Sequence, residues 1–355
     1  MIDIKFYMDT YEFNRSLLTG ELHKSPEEIL EFYESKRRKE PVVYNIETTN
    51  ACNMTCKMCP RTTMMTRKVE TLNFDTFKKV VDQLQPWSQE EWLAWTDFAT
   101  RTYGINPDDM SENHFFLYVI TKVIQLHGYG DPLLDKNISK AVQLLKSKGL
   151  QSYFSCNPAN INIDRTIEMF ESGLNYIKYS IESVDDSKHK EIRGSHSNFT
   201  QSYERICKLL DLKRKHGYET TIVITMLDLN QTHQTEDYAK LRKAFDGLDV
   251  YIYLKSEDQQ WYRKDYHGTN SIHWSEICKH PWMSTTIKSN GEVAMCMEDF
   301  NNEIILGNIT DESLYNIWNG DKYHQFRIDH AHGLKGMKCI EQCDMKVAGE
   351  CRTRR

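Results

Sequence analysis

Residues 51–60 read ACNMTCKMCP, and this short segment holds three cysteines, Cys52, Cys56 and Cys59. The spacing, three residues and then two, lets one loop bring three thiolates to the same face of a cubic iron–sulfur cluster. A cluster held in this way keeps one iron without a cysteine ligand, so that iron can bind another molecule. The spacing alone also leaves open a structural zinc site or three of the four ligands of an electron carrier.

This cysteine pattern, which directly follows the strand-like run 41–47, resembles the signature of the radical S-adenosylmethionine (SAM) enzymes. The resemblance implies that the open iron of a [4Fe–4S] cluster binds the amino and carboxylate groups of SAM. It also implies that an electron from the cluster splits SAM into methionine and a radical that abstracts a hydrogen atom from a substrate. The electron donor would be a flavodoxin- or ferredoxin-like protein.

Length and composition favour a cytoplasmic enzyme. The 355 residues suffice for one barrel-sized domain and a smaller one. The sequence shows no run of eighteen apolar residues and no signal-peptide pattern, so we expect neither a membrane span nor secretion. The ten cysteines are then expected as metal ligands and buried thiols instead of disulfides. With a net charge of −6 and only two short basic runs, at 36–39 and 352–355, we expect no nucleic-acid partner.

Strand-like and helix-like segments alternate through the middle of the chain, which predicts an α/β fold with parallel strands. The predicted strands are 42–46, 123–127, 151–156, 176–182, 220–226 and 250–254, and the predicted helices are 74–84, 137–148, 163–172, 199–216 and 235–245. Six such units resemble the partial (β/α)6 barrel, a TIM-type fold, of the radical SAM enzymes. The active site would lie at the C-terminal ends of the strands. We expect this barrel over 41–260, after an N-terminal helical extension over 1–40. One helix is predicted in this extension, opened by the capping box of Ser25 and Glu28 with Pro26 at the first helical position.

The segment after the second predicted strand resembles a SAM-binding turn. Gly128, Tyr129, Gly130 and Asp131 stand where the family places a glycine-rich turn whose backbone oxygen meets the SAM amino group. Glycine suits that role because the backbone must approach the ligand closely. The chain departs from the family pattern in two places: Asp131 replaces a glutamate, and Met58 occupies a position that is often aromatic.

A second SAM-binding resemblance follows the fourth predicted strand. Ser180 and Glu182, and then Arg193, resemble the segment that holds the ribose and carboxylate of SAM. The planar guanidinium of Arg193 suits a carboxylate. Taken singly, Arg193 could equally form a surface salt bridge.

The C-terminal quarter resembles the extension of SPASM and twitch radical SAM enzymes, in which a β-hairpin and a following helix hold an auxiliary [4Fe–4S] cluster. The hairpin is predicted from alternating residues at 284–288 and 292–297 around Asn290 and Gly291, a strong turn pair. We expect this auxiliary domain over 270–355.

Four cysteines of this region, Cys278, Cys296, Cys339 and Cys343, would hold one auxiliary cluster. The last two are separated by three residues instead of the commoner two, so Cys351 is a possible alternative ligand. A zinc site is also open, because four thiolates suit either metal.

An aromatic-rich segment at about 86–116 interrupts the connection between the first predicted helix and the second strand. Capping the site, docking a partner and packing as inert decoration are all open. Because the segment adds no predicted strand, we expect the fold to tolerate its loss better than the function does.

Among relatives built in this way, one reaction is the two-electron oxidation of a secondary alcohol on a cyclitol or amino sugar. The substrate radical would pass its electron to the auxiliary cluster. The reaction needs a base near the strand ends, and Glu182, Asp228 and Lys255 are candidates. Two alternatives are the modification of a ribosomal peptide by cross-linking, epimerisation or oxidation, and a non-catalytic iron–sulfur or zinc protein.

Overall fold

A computed structural model describes residues 1–105, 110–229, 234–256 and 278–334, together with 336, 337 and 339. The predicted ligands Cys343 and Cys351 lie outside the described residues. Within the described ranges, no helix is long and apolar enough to cross a lipid bilayer.

One sheet forms the centre of the described structure. Its strands are β1 Val43–Ile46, β2 Val123–Gln125, β3 Gln151–Cys156, β4 Tyr176–Ser180, β5 Thr221–Asp228, β6 Tyr251–Ser256, β7 Thr285–Ile287, β8 Glu292–Ala294 and β9 Ile305–Asn308. Their order is β6-β5-β4-β3-β2-β1-β7-β8-β9. Strands β1 to β6 are parallel neighbours, β7 is parallel to β1, and β8 and β9 follow antiparallel. The predicted parallel sheet and C-terminal hairpin are therefore confirmed, and they share one sheet.

Helices connect the strands and cover the outer face of the sheet. They are α1 Ile4–Thr19, α2 Pro26–Lys36, α3 Pro60–Thr63, α4 Phe74–Val81, α5 Gln89–Tyr103, α6 Glu112–Phe115, α7 Ile138–Ser147, α8 Ile163–Glu171, α9 Asp186–Arg193, α10 Phe199–His216, α11 Gln234–Ala244, α12 His280–Met283, α13 Leu314–Asn319 and α14 Asp321–Ala331, with a π-helix at Phe116–Ile120. Helix α10 has the residues predicted for it because both ends carry local signals. Asn198 accepts a hydrogen bond from the Gln201 N–H, and Gly217 ends the helix with a φ of 70°.

Successive residues of the parallel strands alternate between two environments. On the outer face, Ile124, Phe154 and Ile222 are fully buried in the main core beneath the helices. On the inner face, Tyr153 and Val223 belong to a separate apolar cluster inside the barrel. The barrel interior therefore receives the side chains at alternate positions of each strand, polar ones included.

The aromatic-rich segment closes the end of the barrel at which the strands begin. Helix α5 packs against α1 and buries Trp95 completely. Helix α6 brings Phe115 inside the barrel, where its ring centroid lies 5.4 Å from that of Tyr153 and 5.3 Å from that of Tyr253. This segment is part of the core, which argues against the expectation that the fold tolerates its loss.

The first forty residues contain two helices, although the sequence predicts only one. Helix α2 begins as predicted, with a capping box between Ser25 and Glu28. Helix α1 is stabilised by contacts distant in sequence: Phe6 and Tyr7 are buried against Tyr33 and Trp95. These contacts come from α2 and α5, so the sequence of α1 alone does not reveal them.

Candidate active site

The three-cysteine loop follows β1 and lies on the end of α9. Two backbone hydrogen bonds fix it there: the Thr55 N–H donates to Arg193 O at 3.3 Å, and the Lys57 N–H donates to Ile192 O at 2.9 Å. A Cβ atom at Gly194 would lie 2.3 Å from Thr55 Oγ1, and Gly194 has a φ of +101°. A larger residue at this position would push the loop away from α9.

The three thiols of the loop lie close enough to influence each other electrostatically. Burial raises the pKa of Cys52, and the nearby Cys56 raises it further. Burial raises the pKa of Cys59 to about 11, with further contributions from Cys56 and Cys52. A bound metal centre supplies the positive charge that keeps such thiols deprotonated. Three neighbouring thiols in one loop are the residue types that an iron–sulfur cluster needs, although no three Cys, His, Asp or Glu side chains in the described part of the chain converge on one metal-ion position.

The glycine-rich turn after β2 packs directly on the segment that leads to the cysteines. A Cβ atom at Gly128 would lie 2.5 Å from Glu47 Oε1, and one at Gly130 would lie 2.1 Å from the carbonyl oxygen of Thr49. The Tyr129 N–H donates to Glu47 Oε1 at 3.0 Å. Both glycines therefore allow a backbone approach that no other residue permits.

The sequence predicts Asp131 as a cofactor contact, but its carboxylate is hydrogen-bonded to other residues of the protein. It accepts hydrogen bonds from the backbone N–H groups of Leu133 at 3.0 Å and Asn157 at 3.1 Å. The Asn160 side-chain amide donates a third bond at 2.7 Å. Burial raises the pKa of Asp131, and these donors oppose that rise. The carboxylate joins the ends of β2 and β3, which does not favour a direct contact with a ligand.

Glu182 and Arg193 form a buried ion pair, and a surface salt bridge is therefore the wrong description of Arg193. The side chain of Glu182 is fully buried, and its second oxygen accepts the Leu227 N–H at 2.8 Å. This pairing does not favour Glu182 as a free base. Ser180 is the last residue of β4, and its Oγ lies 3.5 Å from Ser155 Oγ.

A second buried charge network, missed from the sequence, joins the loop region to the C-terminal hairpin. Arg67 donates to both carboxylate oxygens of Glu47, at 2.8 and 2.9 Å, and to the carbonyl oxygen of Phe300 at 2.7 Å. Glu47 also accepts the Ser289 N–H at 3.1 Å. Burial acts to raise the pKa of Glu47, but Arg67 and then Lys288 hold it below its usual range. The sequence does contain a signal for this buried network, because Glu47 and Lys288 are charged residues that directly follow apolar strand residues.

A cavity of about 230 Å³ lies inside the barrel between these elements. Met58 of the cysteine loop and Cys296 of the C-terminal region both line it, while Phe115 and Phe116 line it from the aromatic segment. Further lining residues come from the inner faces of the strands: Gln125, His127, Tyr153, Lys178, Tyr253 and Lys255.

Of the three candidate bases, only Lys255 lines this cavity. Asp228 follows Leu227, which does line it, and successive strand residues face opposite sides of the sheet. Asp228 therefore lies on the other face. The alternation along the strands, read from the sequence, would have excluded Asp228 and selected Lys178 and His127.

His127 is a polar group of the cavity that the motifs do not reveal. Its Nδ1 accepts the Ser155 N–H at 3.2 Å, which places the proton on Nε2. Burial lowers the pKa of His127 to about 3, and the charges of Lys178 and Lys255 contribute to this shift. The imidazole is therefore neutral at physiological pH and can donate a hydrogen bond from Nε2.

The predicted auxiliary cysteines are only partly described. Cys296 and Cys339 are buried in the main hydrophobic core, and Cys278 lies two residues before α12. Cys339 Sγ lies 3.7 Å from Nδ1 of His330 on α14, a neighbour that the cysteine spacing does not indicate. The fourth predicted ligand, Cys343, lies outside the described residues, so the four predicted ligands are not described together.

Comparison with known families supports both parts of this arrangement. The model of the radical SAM superfamily matches residues 46–241. The model of the SPASM iron–sulfur cluster-binding domain matches residues 278–346. Radical SAM enzymes bind SAM together with a catalytic [4Fe–4S] cluster, and SPASM domains bind auxiliary iron–sulfur clusters.

Individual relatives are distant. An S-adenosyl-L-methionine-dependent 2-deoxy-scyllo-inosamine dehydrogenase from Niallia circulans is 20% identical over 82% of this chain and 87% of its own length. An AdoMet-dependent heme synthase from Nitratidesulfovibrio vulgaris is 22% identical over 87% of this chain and 86% of its own length. Among solved structures, SuiB from Streptococcus suis bound to S-adenosylmethionine has a TM-score of 0.53 at 14% identity, covering 96% of this chain and 82% of that one. Tagged anSMEcpe with bound AdoMet has a TM-score of 0.53 at 12% identity, covering 85% and 84%. At such identities the structural likeness establishes the fold.

Proposed function

Because the chain belongs to the radical SAM superfamily, we propose that it oxidises a secondary alcohol of a small cyclic substrate, a cyclitol or an amino sugar. It is a radical SAM oxidoreductase. In the proposed organisation, residues 41–260 hold SAM and the catalytic cluster through Cys52, Cys56 and Cys59. Residues 270–355 hold the auxiliary cluster, and a flavodoxin- or ferredoxin-like protein supplies the electron.

The position of the cavity carries this proposal. It reaches Met58 of the cysteine loop and Cys296 of the auxiliary region, so a substrate inside it lies next to both candidate cluster sites. Phe115 and Phe116 close it from the aromatic segment. A cavity of about 230 Å³ with this closure suits a single sugar-sized ring. When bound, SAM and the clusters supply the one-electron chemistry that removes a hydrogen atom and accepts an electron.

The residues of the chain then bind the substrate and manage its proton. The Nε2–H of the neutral His127 donates to a substrate oxygen, and the carboxamide of Gln125, two residues earlier on the same face of β2, binds a second polar group. Of the three candidate bases, Lys255 is the one that lines the cavity, and it would accept the alcohol proton in its neutral amine form. The substrate thereby loses a hydrogen atom, a proton and an electron, which balances a two-electron oxidation.

The dehydrogenase from Niallia circulans supports the oxidation of an alcohol as the reaction type. The alternative function, modification of a ribosomal peptide, needs the same cofactors and differs only in the substrate. One experiment with both classes of substrate therefore distinguishes the two functions.

The test uses anaerobically reconstituted protein with dithionite and SAM. Aminocyclitols, including 2-deoxy-scyllo-inosamine, amino sugars and short peptides are offered separately, and products are analysed by mass spectrometry. We expect a cyclic substrate to yield a product lighter by two hydrogens, with one 5′-deoxyadenosine per turnover and deuterium transferred from the oxidised carbon.

The matched control is a variant with Cys278→Ala and Cys296→Ala, which should still cleave SAM but form little oxidised product. A product of unchanged mass, with SAM regenerated, would refute the dehydrogenase proposal. Turnover of peptides alone would favour the peptide alternative.

A further inference from the structure

Arg193 contacts both a carboxylate and a cysteine of the three-cysteine loop. One terminal nitrogen, Nη2, forms the buried ion pair with Glu182. The other, Nη1, lies 3.8 Å from Cys56 Sγ. Within the described residues, Nε is buried and has no hydrogen-bond partner. The guanidinium is therefore placed between a fixed negative charge and a proposed cluster ligand.

The distance between Arg193 and Cys56 is set by the backbone as well as by the side chain. The residues on either side of Cys56 donate their N–H groups to the carbonyl oxygens of Arg193 and Ile192. Since Arg193 ends α9, these two hydrogen bonds hold the loop against the helix end that carries the guanidinium.

Glu182 is fixed equally well. Its side chain is completely buried, and one of its oxygens accepts the Leu227 N–H of β5. Charges in such an environment are weakly screened by water and salt. The negative charge of Glu182 therefore offsets part of the positive charge of Arg193 at Cys56.

We infer that Arg193 and Glu182 together set the reduction potential of the catalytic cluster, with Arg193 raising it and Glu182 lowering it. The inference rests on the proposed function only in that Cys52, Cys56 and Cys59 hold the cluster. The potential of a thiolate-bound cluster rises when N–H groups donate to its sulfurs and when nearby positive charge stabilises the added electron. Arg193 supplies both, so we assign it a positioning and tuning role at the cluster, in place of the contact with the SAM carboxylate that the sequence predicts.

The test measures the potential directly, without substrate. Wild type, Arg193→Gln, Arg193→Lys and Glu182→Gln are reconstituted anaerobically and titrated with redox mediators while the reduced clusters are followed by electron paramagnetic resonance. The auxiliary cluster in the same sample is the internal reference. For Arg193→Gln we expect the ratio of reduced to oxidised catalytic cluster to fall about tenfold at a fixed potential, equivalent to 59 mV for one electron. Glu182→Gln should shift the potential in the opposite direction, and Arg193→Lys should shift it less than Arg193→Gln.

The chain offers a matched control in Lys57→Gln. Lys57 is adjacent to Cys56 in sequence, but it pairs with Glu191 at the surface, and its side chain is 61% exposed. Water screens such a charge, so its loss should leave the potential near that of wild type.

Opposite shifts for Arg193→Gln and Glu182→Gln support the inference, because a general loosening of the site would move both in one direction. Shifts of the same sign, or an unchanged potential in both, would overturn it.

Equilibrium dialysis measures the affinity of the same variants for SAM. A tenfold weaker affinity of Arg193→Gln, with an unshifted potential, would overturn the inference and show that Arg193 binds the SAM carboxylate. If Arg193→Gln fails to assemble its cluster, Glu182→Gln and Arg193→Lys decide in the same way. A wrong assignment of Cys52, Cys56 and Cys59 as cluster ligands would be recognised independently, because replacing all three would then leave the iron content unchanged.

Discussion

Replacing Arg67 by methionine tests the buried charge network beneath the glycine-rich turn. The change removes the two hydrogen bonds of 2.8 and 2.9 Å to Glu47, whose side chain is only 1% exposed in the structure. Breaking one side of a buried ion pair costs about 3–5 kcal/mol, because the remaining charge stays in a poorly solvated site. Unfolding entropy of about 2.1 cal/mol/K per residue over 355 residues converts this cost to a fall in Tm of about 4–7 °C.

The same substitution should reverse the pH dependence of stability in the acidic range. In the wild type, Arg67 holds the pKa of Glu47 below its ordinary value of 4.5, so the stabilisation is present above that pH and is lost as the pH falls through the lowered pKa. Without Arg67, burial is the dominant influence and raises the pKa. The Arg67→Met variant should therefore gain stability relative to wild type as the pH is lowered from 7 towards 5.

The assay is the thermal unfolding of reconstituted protein, followed anaerobically by tryptophan fluorescence at pH 5, 6 and 7. The double variant Glu47→Gln with Arg67→Met is the control. A glutamine side chain carries no charge, and its single oxygen can accept either the Tyr129 or the Ser289 N–H group, so part of the lost Tm should return. A loss below about 1 kcal/mol for Arg67→Met, or a variant that loses stability in parallel with wild type on acidification, would show that water solvates the pair.

Three other predictions follow from the site and the core. Replacing the three cysteines of the loop by alanine should abolish SAM cleavage and reduce iron from about eight to about four atoms per chain, measured by metal analysis; undiminished cleavage would contradict the cluster assignment. Gly130→Ala should weaken SAM binding at least tenfold in equilibrium dialysis, because its Cβ would lie 2.1 Å from the carbonyl oxygen of Thr49. Replacing residues 87–115 by a Gly-Ser bridge should give insoluble protein without iron, and Phe115→Ala alone should cost about 3–5 kcal/mol of stability in thermal unfolding, since the ring fills the barrel interior. A soluble deletion variant with both clusters would show that the aromatic segment is peripheral.

Local signals were sufficient for much of the fold. The strand β3 and the helix α10 have the bounds predicted for them, because strand composition, an Asn cap and a terminal glycine all act within a few residues. The C-terminal hairpin was predicted for the same reason, since Asn290 and Gly291 favour a tight turn wherever they stand between alternating residues.

The long-range arrangement of the aromatic segment could not be obtained in this way. Trp95 and Phe115 would suit a lid, a docking surface or a core equally well as long as their partners are unknown. Those partners come from α1 and from the inner faces of β3 and β6, which are distant in sequence. Burial is a property of the assembled structure, and the segment itself carries no sign of it.

The spacing of Cys52, Cys56 and Cys59 places three cysteines within eight residues, and this is readable without any knowledge of the fold. The charged groups around that loop depend instead on how distant parts of the chain pack together. Arg193 contacts Cys56 across a separation of 137 residues, and Glu47, just after β1, pairs with Arg67 across a separation of 20 residues. The physical reason is that a buried charge must find an opposite charge or several donors, and strand register and chain crossing, not residue type, determine which one it meets.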